Sequence, residues 1–200
     1  RLEGIKDGGI TLYSVPSFVE WILEVDGIEN PSGIALDEYG QIYFMDRDRG
    51  KLCLFDPITK RLERITTVTD SCDKTAEVKE GTKIIIDRLT LWVLDPGNHR
   101  LLGFSRENFQ VKYVINPEEP LDIGVDEPGH LYVLDKKSHQ IIEYDNHGRF
   151  IMSFGESYLK EPVGLALGKG NILYVIDKGY NGFLRFREEG EYLGIVGDFK

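Results

Sequence analysis

Short apolar runs of about four to seven residues recur along the chain, rich in β-branched and aromatic side chains and broken by Gly, Asp-Pro or Asn-Gly. Runs of that length and make-up predict strands rather than helices. Four of them share one form, an aromatic, two apolar residues and an Asp: Tyr43-Phe44-Met45-Asp46, Trp92-Val93-Leu94-Asp95, Tyr132-Val133-Leu134-Asp135 and Tyr174-Val175-Ile176-Asp177. Six residues after each Asp stands a large apolar residue (Leu52, Leu101, Ile141, Phe183). Nine after it stands an aromatic (Phe55, Phe104, Tyr144, Phe186). The register holds upstream as well. Asp37, Asp87, Asp126 and Gly168 occupy one position, and Pro31, Gly81, Pro120 and Pro162 stand six residues before them.

The repeat Asp residues are 49, 40 and 42 residues apart. A period of that size built from short strands predicts four-stranded antiparallel blades repeated radially, an all-β propeller. In the third repeat the strands are expected near 121–126, 130–135, 140–145 and 150–154, with turns at Asp126-Glu127-Pro128-Gly129 and Asp145-Asn146-His147-Gly148. The first strands, such as Gly33-Ile34-Ala35-Leu36, read as hub strands covered on both faces. The fourth strands, such as Val111-Lys112-Tyr113-Val114, read as charged, solvated edges. The chain thus divides into half a blade over about 1–26 and whole blades over about 27–70, 80–117, 118–156 and 160–200. Residues 10–25 supply the third and fourth strands of the half blade, and the intact polypeptide is expected to continue, at least past Lys200.

The repeat resembles the NHL repeat over about residues 28–197. Pro31-Ser32-Gly33-Ile34-Ala35-Leu36-Asp37 matches the opening of that pattern, and Asp95-Pro96-Gly97-Asn98-His99-Arg100 matches its middle. The other repeats depart from it, with Asp48-Arg49-Gly50, Ser138-His139-Gln140 and Tyr180-Asn181-Gly182, and Gly81 stands where the opening Pro is expected. The resemblance implies a ring of about six blades. It implies a non-enzymatic interaction or scaffold module of a larger protein or assembly, such as a sensor ectodomain or a phage-tail-like machine. The alternative is a metal-dependent hydrolase or lyase propeller of the gluconolactonase-like or amidating-lyase-like kind.

Composition narrows these options. The net charge is -10, which repels phosphate backbones and sets nucleic acid aside as a partner. No run of about 18 apolar residues is present, so no membrane-inserted helix is expected. Two cysteines, Cys53 and Cys72, make no disulfide framework. Cys53 reads as a small apolar strand residue.

Candidate chemistry is sparse. The repeat Asp residues fall at strand ends, where an Asp accepts backbone N–H groups. His99 and His139 share a repeat position, at which Arg49 and Asn181 are aligned in the other two repeats. A hub metal would be held from the starts of the first strands. Only Asp122 there is a credible ligand, with Glu119 and Glu161 nearby, and Lys83 opposes a cation. No catalytic residue and no cofactor are expected. The expected partner is a protein, met by loops carrying Arg47, Asp48, Arg49, Asn98, His99, Arg100, Lys136 and Lys137, with the long insertion 66–80 on the same face.

Overall fold

The computed structural model describes residues 30–65 and 81–197, with Ile28, Val78 and the backbone of two further strands, β1 (Ile10–Tyr13) and β2 (Glu20–Leu23). Cys72, most of the insertion 66–80 and much of the first 27 residues lie outside the described residues. β1 and β2 pair antiparallel. The rest is four antiparallel sheets of four consecutive strands each. The first holds β3 (Pro31–Leu36), β4 (Ile42–Asp46), β5 (Lys51–Asp56) and β6 (Arg61–Ile65). The second holds β7 (Lys83–Ile86), β8 (Thr90–Asp95), β9 (Arg100–Ser105) and β10 (Val111–Ile115). The third holds β11 (Pro120–Val125), β12 (Leu131–Asp135), β13 (Gln140–Tyr144) and β14 (Phe150–Phe154). The fourth holds β15 (Pro162–Gly168), β16 (Ile172–Asp177), β17 (Phe183–Arg187) and β18 (Tyr192–Val196).

The first strands stand side by side, β3 against β7, β7 against β11 and β11 against β15. This is the radial stacking of propeller blades. The second strands are apolar at nearly every position because each feeds two interfaces. Tyr43 and Met45 pack toward the second sheet with Leu91 and Val93, while Phe44 packs on the opposite face with Ile28, Cys53 and Phe55. Trp92 and Leu94 turn to the third sheet to meet Leu131 and Val133. Tyr132 and Leu134 turn to the fourth, against Leu165, Leu173 and Val175. A strand buried on both faces loses the polar alternation of a half-exposed one.

Two expectations change. The hub strands are not covered on both faces: Ile34 and Leu36 are 52% and 62% exposed, and Val163 is 40% exposed. Ile34, Leu36 and Val163 belong to the first and fourth sheets, and only the strands between them, β7 and β11, have a described neighbour on each side. The edge strands also differ from one another. β6 and β10 carry Arg61, Glu63, Arg64 and Lys112, whereas β14 (FIMSF) and β18 (YLGIV) hold no charged residue.

The upstream Asp of the repeat is wedded to the aromatic. Tyr43 Oη and Trp92 Nε1 donate to Asp37 and Asp87 at 3.3 and 3.0 Å, and Tyr132 Oη donates to Asp126 at 3.4 Å. The other oxygen of each carboxylate accepts two turn N–H groups, from Tyr39 and Gln41, Leu89 and Thr90, or Gly129 and His130. In the fourth repeat Gly168 replaces the Asp, and the Tyr174 ring lies over it. A Cβ at residue 168 would sit 2.6 Å from that ring. Gly168→Ala is therefore expected to lower stability by about 1–3 kcal/mol. Urea unfolding of the variant beside the parent checks this, and an unchanged midpoint would contradict it.

Candidate functional site

The repeat carboxylates Asp46, Asp95, Asp135 and Asp177 are all buried at the ends of β4, β8, β12 and β16. Asp135 accepts the Glu119 N–H at 2.7 Å and both the N–H and hydroxyl of Ser138. Asp177 accepts the N–H groups of Lys160, Glu161 and Gly179 at 2.7, 3.0 and 2.7 Å. Each thus ties the turn that follows it to the segment entering the same sheet. In the second sheet side chains take over: Asn98 Nδ2 and Arg100 Nε donate to Asp95 at 2.8 and 2.9 Å. Around Asp46 the contact is Arg49, 3.8 Å away.

At the hub Asp122 joins three blades. Its Oδ1 takes the Lys83 ammonium of β7 at 2.5 Å and its own strand's Ile123 N–H at 2.8 Å, while Oδ2 accepts the Leu165 N–H of β15 at 2.7 Å. The one credible hub ligand is therefore engaged on both oxygens, and its partner is a cation. Glu119 pairs with Lys136 at 2.9 Å, and the Glu161 carbonyl accepts the Lys178 N–H. Among the described residues no three His, Cys, Asp or Glu side chains are arranged to hold a metal ion.

The turns between second and third strands lie at one end of the sheets, where Pro31, Pro120 and Pro162 pair with Asp46, Asp135 and Asp177. The eight residues expected to meet a partner gather there, but they do different work. Asn98 and Arg100 support Asp95. Lys136 and Lys137 pair with Glu119 and Glu118. His99 Nδ1 lies 2.6 Å from the Glu118 carbonyl, an acceptor, so this nitrogen donates. Arg47 is half-buried and its N–H donates to Asn30, whose side chain donates to Asp48. Asp48, Arg49, His99, Lys136 and Lys137 remain exposed. The alignment of Arg49 with His99 is corrected: Gly50 shares the turn position of His99 and His139, each in the left-handed region at φ 60, 52 and 55°. At residue 50 a Cβ would meet the Val78 carbonyl at 2.8 Å, which leaves room only for glycine.

The opposite end of the sheets holds the polar groups that the sequence reading passed over. Arg106 of the β9–β10 turn reaches across to the first sheet, to Glu38 at 2.8 Å and Asp37 at 3.5 Å, and donates to the Asp87 and Arg88 carbonyls. A shallow cavity of about 380 Å³ opens beside it, lined by Asp37, Glu38, Asp87, Arg88 and Asp126. Between the third and fourth sheets His130 Nδ1 stands 3.3 Å from both Asp126 and Glu143. Glu143 is 6% exposed, and burial holds its carboxyl above the usual range. Its signal in the sequence is a carboxylate at a repeat position filled elsewhere by Leu54, Gly103 and Arg185. Burial also pushes the Cys53 thiol up to about 11 and, with Asp37 beside it, the Tyr43 phenol up to about 12. Cys53 is thus a poor nucleophile.

The chain matches no protein-family model and no curated protein sequence. Its structure does have counterparts. A streptogramin B lyase aligns with a TM-score of 0.66 at 18% identity over 81% of this chain and 53% of that one. A catalytically inactive His-to-Ala variant of virginiamycin B lyase from Staphylococcus aureus, solved with quinupristin, aligns at 0.71 and 14% identity over 94% and 62%. Hydrazine synthase of Kuenenia stuttgartiensis aligns at 0.67 and 12% identity over 92% and 53%. The likeness is one of fold. The chain spans between half and two thirds of the length of these propeller-type structures.

Asp122→Ala would strand the Leu165 N–H and unpair Lys83, and it is expected to lower stability by about 1–3 kcal/mol. Urea denaturation measures this. A neutral substitution would mean that the hub carboxylate is held in reserve for a ligand.

Proposed function

We propose that this propeller is a non-enzymatic interaction module that docks a protein partner on the end of the sheets carrying Asp48, Arg49, His99, Lys136 and Lys137. The observation that carries this reading is the engagement of Asp122 by Lys83. An ammonium at the hub opposes a cation, and the carboxylate best placed to bind metal serves instead to tie β7, β11 and β15 together. What stays exposed at the loop end is a set of charged and imidazole side chains on rigid turns, the usual placement of binding residues on a scaffold. Net charge of -10 turns the choice of partner away from phosphate backbones.

The competing reading, a lyase or hydrolase, draws on the fold likeness to streptogramin lyases, and one fold hosts many activities. Its metal ligand here would be Asp122, the hub carboxylate paired with Lys83.

Two measurements separate these readings. Light scattering on the intact protein from its natural source, with mass spectrometry of what co-elutes, is expected to find a stoichiometric protein partner. Reversing Arg49, Lys136 and Lys137 to Glu together is expected to weaken that complex by about tenfold or more, as loss of complementary charge does. A lone propeller that binds one equivalent of Ca²⁺ or Zn²⁺ and loses it on Asp122→Ala would instead establish the enzyme reading.

A further inference from the structure

The three described junctions between sheets are built on the same repeat positions but carry different charges. At the first, the Asp37 carboxylate, which accepts the Tyr43 hydroxyl, faces Arg106 from the next sheet. Arginine keeps its charge at every physiological pH, so this pair is permanent. At the second, Asp87 accepts Trp92 Nε1, and the residue matching Arg106 is the neutral Asn146. At the third, Asp126 accepts the Tyr132 hydroxyl, and the matching residue is Glu188, a like charge.

The third junction carries a second carboxylate as well. Glu143 of β13 pairs in register with Tyr132. Its carboxylate is buried and feels Asp126 and Glu188 as repulsive neighbours. Asp126 and Glu143 thus flank one phenol and one imidazole, with His130 3.3 Å from both, and Glu188 of the fourth sheet acts on Tyr132 and Glu143 electrostatically. The Asp126 side chain is 2% exposed and Glu143's is 8%, whereas that of His130 is 39% exposed, so the cluster meets solvent at the imidazole edge. Burial and the two other carboxylates both hold the Glu143 carboxyl above the ordinary carboxylate range, and His130 acts against them.

We infer that the junction between the third and fourth blades is a proton-sensitive clasp, built from Asp126, His130, Tyr132, Glu143 and Glu188, which tightens as the medium acidifies and loosens as it becomes alkaline. The sign follows from linkage. A carboxyl whose pKa is raised on folding adds stability that is fully present below its unfolded value and is lost as pH rises through its folded value. The first junction, with Arg106 in place, has no such dependence and serves as the internal control.

Hydrogen exchange resolved by peptide, corrected for the intrinsic pH dependence of exchange, tests this on the full chain. As pH rises through the titration of Glu143, the amides of β15 and β16 are expected to lose protection by about tenfold relative to those of β7 and β8. Glu143→Gln removes one titrating group and is expected to reduce that loss to about twofold or less. Glu188→Arg installs the permanent cation of the first junction and should flatten the response while leaving the fold intact. Equal pH responses at the two junctions would overturn the inference. So would a response in the parent that persists unchanged in both Glu143→Gln and Glu188→Arg.

Discussion

At the ends of β8, β12 and β16 a buried carboxylate gathers N–H groups where the β-ladder stops. The turn after each such strand and the segment entering the sheet both present donors where no β-ladder continues. Leaving such a donor buried and unpaired costs about 1–3 kcal/mol. Asp135 and Asp177 meet this need with backbone N–H groups, and Asp95 with the side chains of Asn98 and Arg100. Once these ends are pinned, the strands keep their register. The alternate faces of β4, β8 and β12 are then presented to neighbours on both sides, and the interleaved cores between sheets follow. The constraint also explains why Asp95, Asp135 and Asp177 are occupied: the N–H groups that hold them are those of the chain itself.

The architecture was legible because the packing requirement is periodic. Aromatic, apolar, apolar, Asp returns at each second strand, and four short strands per period leave few alternatives. The third repeat falls within a residue or so of its expected strands, β11 to β14. Asp122 stood out by position, but only its distances to Lys83 and to the Leu165 N–H reveal a tether joining three blades. The eight loop residues were gathered at one end as anticipated, yet their division into supports and exposed groups depends on partners such as Glu118 and Glu119 that repeat logic does not weigh. The one-residue misplacement of Arg49 arose because identity of side chain was followed, whereas the position selects for a left-handed backbone, which Gly50, His99 and His139 share.

Contacts between sheets were the hardest to foresee. Arg106 meets Asp37 and Glu38 across a separation of nearly seventy residues, and nothing local marks it. Such contacts become visible by comparing equivalent positions at successive junctions. Arg106, Asn146 and Glu188 form one such set, and Leu54, Gly103, Glu143 and Arg185 form another. The backbone repeats while the charge at each junction varies, so a common scaffold is given junctions of different character. The likeness to streptogramin lyases and to hydrazine synthase reflects that common scaffold, and the side chains on it are this chain's own.

The account rests on Asp135 and Asp177 being acceptors for the chain's own backbone N–H groups. Through-hydrogen-bond scalar coupling measures that directly in solution. Couplings are expected from the amide nitrogen of Glu119 to the side-chain carboxyl carbon of Asp135, and from the amides of Lys160 and Gly179 to that of Asp177. Absence of these couplings, with the Glu119 and Lys160 amides exchanging as exposed loops do, would contradict it and return these carboxylates to consideration as a binding site.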